Sequence, residues 1–329
     1  MHPEILVTGG SGMVGTYLIR WLLDHGFDRI TATYQGDDPA GIPEWSRSRV
    51  TWQSMRLPDL ERVNTLVQGK TWVIHAAALV SYLRRDRYRL LKINRLGTEQ
   101  LVNASLHHGV SHFIYIGSIA SLGKEIPGPV MDEQTPWLDN SLATPYGLSK
   151  YLGELEAWRA AAEDLPVSVV LPAVILGTGP WQRSSLQLIR QILSGPPWYP
   201  GGETGFVDVR DVVEFTGRLL SATPGDRWLL SGGQLTYETL YTTLGGALRP
   251  SATYRPAPEK LVRWVYAYAR AVAGKAVSPE LIHQLYAPLR YSANKSLTMP
   301  DFTYRPLADT MSDMVAVLRN DPASLLRFD

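Results

Sequence analysis

A short apolar run, Ile5-Leu6-Val7, leads into Thr8-Gly9-Gly10-Ser11-Gly12-Met13-Val14-Gly15. Met13, Val14, Tyr17, Leu18, Trp21 and Leu22 then recur at helical spacing up to Gly26. This strand–turn–helix order constrains the fold more than any other feature of the chain. Gly9 lets the backbone reverse, Gly12 lets it approach a pyrophosphate closely, and Gly15 lets the helix pack tightly on a sheet. Met13 and Val14 open the helix, whose free N–H groups suit phosphate.

The pattern that follows alternates. Apolar runs at residues 30–34, 50–55, 72–74, 113–116 and 167–171 read as strands. Helices are expected over 59–68, over 86–108 as one long element, and from Pro145 onward. Short apolar strands separated by helices imply an α/β architecture, a doubly wound parallel sheet covered on both faces. After about Leu176 glycine and proline become dense, and the regular alternation stops. The expected division is a nucleotide-binding domain over 1–175, with a returning strand near 205–232 (centred on Trp228 to Leu230). A smaller, discontinuous C-terminal lobe over 176–329 would bind substrate. Helices near 259–273 and 279–285 belong to that lobe, and lobe packing is the expected role of the amphipathic 260–270 stretch.

The 329 residues carry a net charge of +1, so no global field would gather nucleic acid or acidic lipid. There are no cysteines, which excludes disulfides, thiolate nucleophiles and cysteine metal sites. No metal site is expected. The N-terminus lacks the basic start and apolar stretch of a secretory signal, and no run reaches the roughly 20 apolar residues of a spanning helix. A soluble, cytoplasmic protein is expected.

Thr144-Pro145-Tyr146-Gly147-Leu148-Ser149-Lys150 reads as a helix start, with Thr144 as N-cap and Pro145 as first helical residue. Tyr146 and Lys150, four apart, share a helix face. An ammonium beside a phenol favours the phenolate, and so does the positive ring of an oxidised nicotinamide. Tyr146 could then exchange a proton with a substrate oxygen near neutral pH.

Together these segments resemble the extended short-chain dehydrogenase/reductases, also called the NAD-dependent epimerase/dehydratase family. Thr8-Gly9-x-x-Gly12-x-x-Gly15 and Tyr146-x-x-x-Lys150 match its two signature motifs. His75-Ala76-Ala77, Asn94-Arg95-Leu96-Gly97-Thr98, Ile116-Gly117-Ser118 and residues 205–212 are similar to further family segments. The resemblance implies a Rossmann fold and a catalytic trio. Ser118 would orient the substrate oxygen. Tyr146 would donate or accept the proton, and Lys150 would bind the coenzyme ribose and lower the tyrosine pKa. Ser121 is a back-up for Ser118. Ala76, Ala77, Ala78, Pro172 and Val174 would line the coenzyme. His75 is expected to shape that site without acting as a base, and Asn94 to position a helix. The family often dimerises, so a homodimer is possible.

The end of the second strand sets coenzyme choice, because an acid there holds the ribose of NAD and repels the extra phosphate of NADP. Here it reads Thr33-Tyr34-Gln35-Gly36-Asp37-Asp38, with the acids late. Arg56, before Leu57, stands where the family usually has an acid near the adenine, and Arg47 and Arg49 lie within possible reach of a phosphate. NADP is therefore expected, with NAD possible.

Dehydratase relatives place Asp-Glu after the catalytic Thr, where this chain has Ile119-Ala120. Sugar-nucleotide epimerases use an Asn and an Arg where it has Ala173-Val174 and Glu203-Thr204. Leu79, Val80, Tyr82, Trp137, Leu142, Trp181, Trp198 and Tyr199 suit a flat, apolar carbonyl compound. Together with Tyr291-Ser292-Ala293-Asn294-Lys295, the pattern is similar to the dihydroflavonol-reductase-like and 3β-hydroxysteroid-dehydrogenase-like branch. The expected activity is reversible carbonyl–alcohol oxidoreduction of a small molecule. The alternatives are a nucleotide-sugar epimerase and a non-catalytic dinucleotide sensor.

Overall fold

A computed structural model describes residues 3–36, 42–125, 128, 130–178, 186–273 and 278–320. The chain begins with β1 (Ile5–Thr8), α1 (Met13–Asp24), β2 (Ile30–Tyr34) and β3 (Thr51–Ser54). It continues through α2 (Leu60–Val67), β4 (Trp72–His75), α3 (Arg87–Leu90), α4 (Gly97–His107) and β5 (His112–Ile116). Next come α5 (Pro145–Ala162), β6 (Val167–Pro172), β7 (Val174–Leu176), α6 (Leu186–Ser194), β8 (Trp198–Tyr199) and β9 (Glu203–Asp208). Then follow α7 (Val209–Leu219), β10 (Arg227–Leu230), β11 (Gly233–Thr236) and α8 (Tyr237–Leu240).

Seven parallel strands form the central sheet in the order β10-β6-β5-β4-β1-β2-β3. Every residue of β1, β5 and β6 is buried, as continuous apolar strands covered by helices on both faces must be. The chain winds outward from β1 to β3, then restarts at β4 and winds the other way. The order reverses between β1 and β4, which opens a crevice beyond their C-terminal ends. The returning strand lies on the sheet edge, with Trp228 opposite Val170.

The helix expected over 86–108 is not uniform. Between α3 and α4 the backbone runs through a π-helical turn, Leu91–Leu96. Such a turn carries an extra residue, and Asn94 sits on it with its side chain turned inward.

A second apolar cluster forms beside the sheet from Ile189, Ile192, Phe206, Tyr241, Met311 and their neighbours. Val14 and Tyr17 of α1 pack against both clusters. The small sheet β11-β9-β7 follows directly from the last central strands. The lobe packing expected of the helix Glu259–Ala273 holds only in part, because Leu261, Trp264 and Val265 remain exposed.

Gly217 of α7 permits a close contact with α1. A Cβ there would fall 2.3 Å from the Trp21 ring, whose Nε1 donates to Glu214 at 2.7 Å. Overpacking of this kind costs about 1–3 kcal/mol. Gly217→Val is therefore expected to lower the unfolding free energy by that amount, read as a lower denaturant midpoint at unchanged slope. An unchanged midpoint would show that α1 and α7 separate freely.

Candidate active site

The glycine turn has the geometry its sequence implies. Gly9 adopts φ +71°, and the Gly12 N–H donates to its carbonyl at 2.9 Å. A Cβ on Gly15 would lie 2.2 Å from the Gly9 carbonyl oxygen, and one on Gly9 would lie 2.7 Å from Ala77. No side chain caps the start of α1, so its first N–H groups remain available to an anion. A bare helix start, set in a cradle that any side chain would fill, fits a dinucleotide pyrophosphate.

Ala76 and Ala77 lie against Gly9, and Ala78 follows them exposed. The Ala77 N–H donates to Thr8 Oγ1 at 3.3 Å, and Thr8 pairs with His75 Nδ1 at 2.7 Å. His75 Nε2 pairs with Thr98 Oγ1 at 3.1 Å, and Thr98 donates to the Asn94 carbonyl at 2.6 Å. Thr98 has one proton and gives it to Asn94. His75 must therefore carry its proton on Nε2 and accept from Thr8 on Nδ1. Burial, followed by the Lys150 charge, pushes its pKa down to about 3. His75 braces the end of β4 as a neutral ring.

Asn94 joins three elements. Its Oδ1 accepts from the Leu79 N–H at 2.7 Å. Its Nδ2 donates to the Leu79 carbonyl and to Ser149 Oγ, both at 2.9 Å. It thereby ties the loop after β4 to the helix that carries Tyr146, in keeping with the positioning role expected of it.

At the adenosine end, Tyr34 closes β2 half-buried, followed by exposed Gln35. Arg56 is exposed, while Leu57 packs on Gly97, whose Cβ would lie 3.0 Å away. Asp37 and Asp38 lie outside the described residues. Of the two arginines considered for a phosphate, Arg49 lies away from this end of the sheet. Arg47 pairs with Glu44 at 3.1 Å. Arg49 precedes β3 and lines a shallow polar depression with Glu4, Asp28 and Arg29 at the N-terminal ends of the strands, opposite the crevice.

Ser118, Tyr146 and Lys150 come together at the end of β5. Thr144 caps α5 by accepting from the Gly147 N–H at 3.0 Å, and Pro145 supplies the first helical residue. Gly147 lies against the Ala120 carbonyl, where a Cβ would approach to 2.5 Å. The Ser118 oxygen accepts from the Ala120 N–H at 3.1 Å, and its hydroxyl bonds the Tyr146 phenol. Lys150 Nζ donates to the Ile116 carbonyl at 2.7 Å and stands 4.5 Å above the Tyr115 ring. Gly117 lies over Leu171, and Pro172 and Val174 continue that wall from the end of β6.

Burial dominates both ionisable groups. It holds the Tyr146 phenol well above its usual range, with the Ser118 bond pulling the other way. It pushes the Lys150 ammonium down to about 7, against the opposing pull of Glu154. In the protein alone desolvation sets the Tyr146 phenol, and Lys150 is not among the groups that act on it.

Ser121 does not serve as a back-up. It is fully buried and engages the Ser118 carbonyl at 2.9 Å and Glu154 Oε2 at 2.8 Å. Glu154 itself was missed in the sequence. It lies one further turn along the Tyr146–Lys150 face, and that i+4 spacing was the available signal. Among the proposed aromatic residues, Tyr82 packs edge-on against Tyr146 with ring centroids 5.6 Å apart. Trp137 stacks on Tyr151 at 4.9 Å. Tyr199 instead bonds Glu238 at 2.8 Å, Trp198 is exposed, and Trp181 lies outside the described residues. Among the described residues no cluster of three or more His, Asp or Glu could hold a metal, and no helix is long and apolar enough to cross a membrane.

The model of the NAD-dependent epimerase/dehydratase family matches residues 5–229, and the chain belongs to this family of enzymes. A putative dihydroflavonol 4-reductase of Synechocystis is 26% identical to it, over 97% of this chain and 96% of that protein. The crystal structure of gox2253 superposes with a TM-score of 0.80 at 26% identity, over 97% of this chain and 98% of the other. A UDP-glucose 4-epimerase of Thermotoga maritima shares the fold at a TM-score of 0.76 and 18% identity, covering 97% and 99% of the two chains.

The proton arrangement of His75 is open to direct measurement. Nitrogen NMR of the imidazoles should show one ring protonated on Nε2 alone and unchanged from pH 8 down to about 5, because its pKa lies near 3. A ring in this position that titrates near its ordinary value of about 6.5 would refute the assignment.

Proposed function

We propose that the protein is an NADP(H)-dependent oxidoreductase that interconverts a ketone or aldehyde and an alcohol on a small, rather apolar substrate. One observation carries this reading. Tyr146, beside Ser118 and one turn from Lys150, follows β5 at the same C-terminal edge of the sheet at which the glycine turn follows β1.

When bound, the nicotinamide coenzyme supplies or accepts the hydride. Gly9, Gly12 and Gly15 leave room for its pyrophosphate, and the N–H groups opening at Met13 and Val14 receive it. Ala76, Ala77, Ala78, Pro172 and Val174 bound the space. Lys150, held by the Ile116 carbonyl, presents its remaining protons to the ribose. Ser118 donates to the substrate oxygen, and Tyr146 passes its phenolic proton to that oxygen or takes one from it. Tyr34 and Gln35 place no acid at the end of β2, and Arg56 adds positive charge beyond β3. Both features favour NADP over NAD. Ala173-Val174 and Glu203-Thr204 lack the amide and the cation that would meet a nucleotide diphosphate, which favours a reductase over an epimerase.

Parallel fluorescence titrations should give tighter binding of NADPH than of NADH, followed by turnover of aromatic ketones with the preferred coenzyme. Tyr146→Phe should lower kcat by about 10²–10⁴. Failure to bind either coenzyme, or full activity in Tyr146→Phe, would overturn the reading.

A further inference from the structure

Lys124 is a buried cation, only 5% exposed, whose partners among the described residues are backbone carbonyls. Its Nζ donates to Leu122 at 3.0 Å, to Ile119 at 3.2 Å and to Ala120 at 3.5 Å. An ammonium has three N–H donors, so each carbonyl takes one and none is left over for a ligand. Burial disfavours the charge and pushes its pKa down to about 7. An apolar side chain of the same length would carry no such desolvation cost. The reason for a lysine here lies in what the three carbonyls belong to.

They belong to the turn that carries Ser118. Ile119–Ser121 is a single 3₁₀ turn with Ser118 at its start. One peptide unit of that turn faces both side chains. Its carbonyl, from Ile119, accepts from Lys124, and its N–H, from Ala120, donates to Ser118 Oγ at 3.1 Å. Bonds in such a chain polarise and strengthen one another. The next carbonyl, that of Ala120, is the one on which Gly147 of α5 rests. The backbone of Lys124 is tied as firmly. Its carbonyl accepts from Asn140 Nδ2 at 2.6 Å, and Asn140 Oδ1 accepts from the Leu142 N–H at 2.9 Å, two residues before the Thr144 cap of α5. The neighbouring Gly123 N–H donates to the Pro136 carbonyl at 2.8 Å, where a Cβ would approach to 2.3 Å.

We propose that Lys124 is a positioning residue that fixes the Ser118 hydroxyl through the Ile119–Ala120 peptide, without touching substrate or coenzyme. This inference rests on the reading of Ser118 and Tyr146 as the groups that meet a substrate carbonyl. A role confined to stability would be felt whatever residue stood at position 118. A positioning role is felt only while the Ser118 hydroxyl is present.

Single-turnover oxidation of NADPH by ethyl benzoylacetate separates the two. Lys124→Met is expected to lower that rate about 10–100-fold at an unchanged NADPH Kd, as misplacement of a reacting group does. In a Ser118→Ala background the same substitution is expected to cost less than about twofold more, because the two residues act as a unit. Asn140→Asp, at an exposed position, keeps the acceptor for Leu142 and loses the donor to the Lys124 carbonyl. It is expected to lower the rate in the same Ser118-dependent way, and it decides the matter if Lys124→Met fails to bind NADPH. An undiminished rate in a variant that binds NADPH, or equal losses with and without the Ser118 hydroxyl, overturns the positioning role and leaves the reductase reading standing. No oxidation of NADPH by the parent overturns both.

Discussion

The chemistry of this crevice depends on two ionisable groups being removed from water before any substrate arrives. Tyr146 and Lys150 are both nearly sealed, at 8% and 2% exposure, one turn apart on α5. In such a place the charged form of each is disfavoured, and the phenol rises while the ammonium falls. The phenol therefore rests neutral, while the ammonium loses its proton as the pH rises through about 7. A positive charge arriving nearby is worth more here than it would be in water, because little solvent is present to screen it. The sheet supplies the seal, through Tyr115 under Lys150 and Gly117 against Leu171.

The rest of the structure serves to hold that helix against the crevice. Thr144 and Pro145 start α5 at the right residue, and the tight fit of Gly147 on the Ala120 carbonyl sets its height. Asn94 reaches across from the π-turn to Ser149, and Glu154 locks the far end through Ser121 and an ion pair with Arg227 at 2.7 Å. Each of these contacts is short in range. Their sum determines where one phenolic oxygen sits relative to the glycine turn. The His75–Thr8–Thr98 relay does the same for the opposite wall, using neutral groups and adding no charge to the site.

Much of this was legible in the sequence because it is local. Strand–glycine–helix order located the crevice, and the four-residue spacing of Tyr146 and Lys150 placed both on one face. Periodicity located the seven strands of the sheet, including the distant return at residues 227–230. What was not legible depends on which end, or which side, of an element a residue occupies. Arg49 looked near the coenzyme by number, yet it enters β3 at the end away from the crevice. Ser121 follows Ser118 by three residues, yet the tight turn between them aims it inward at Glu154. The π-turn at Leu91–Leu96 left no mark in an otherwise regular helical pattern.

The central claim is that burial keeps the Tyr146 phenol protonated until a positive charge is bound beside it. Titration of the near-ultraviolet tyrosinate band with and without saturating oxidised coenzyme tests this directly. The account predicts that one tyrosine ionises at distinctly lower pH in the oxidised complex, that the reduced coenzyme does not reproduce the shift, and that it disappears in Tyr146→Phe. An unchanged titration on binding, or a shift that survives in Tyr146→Phe, would contradict it.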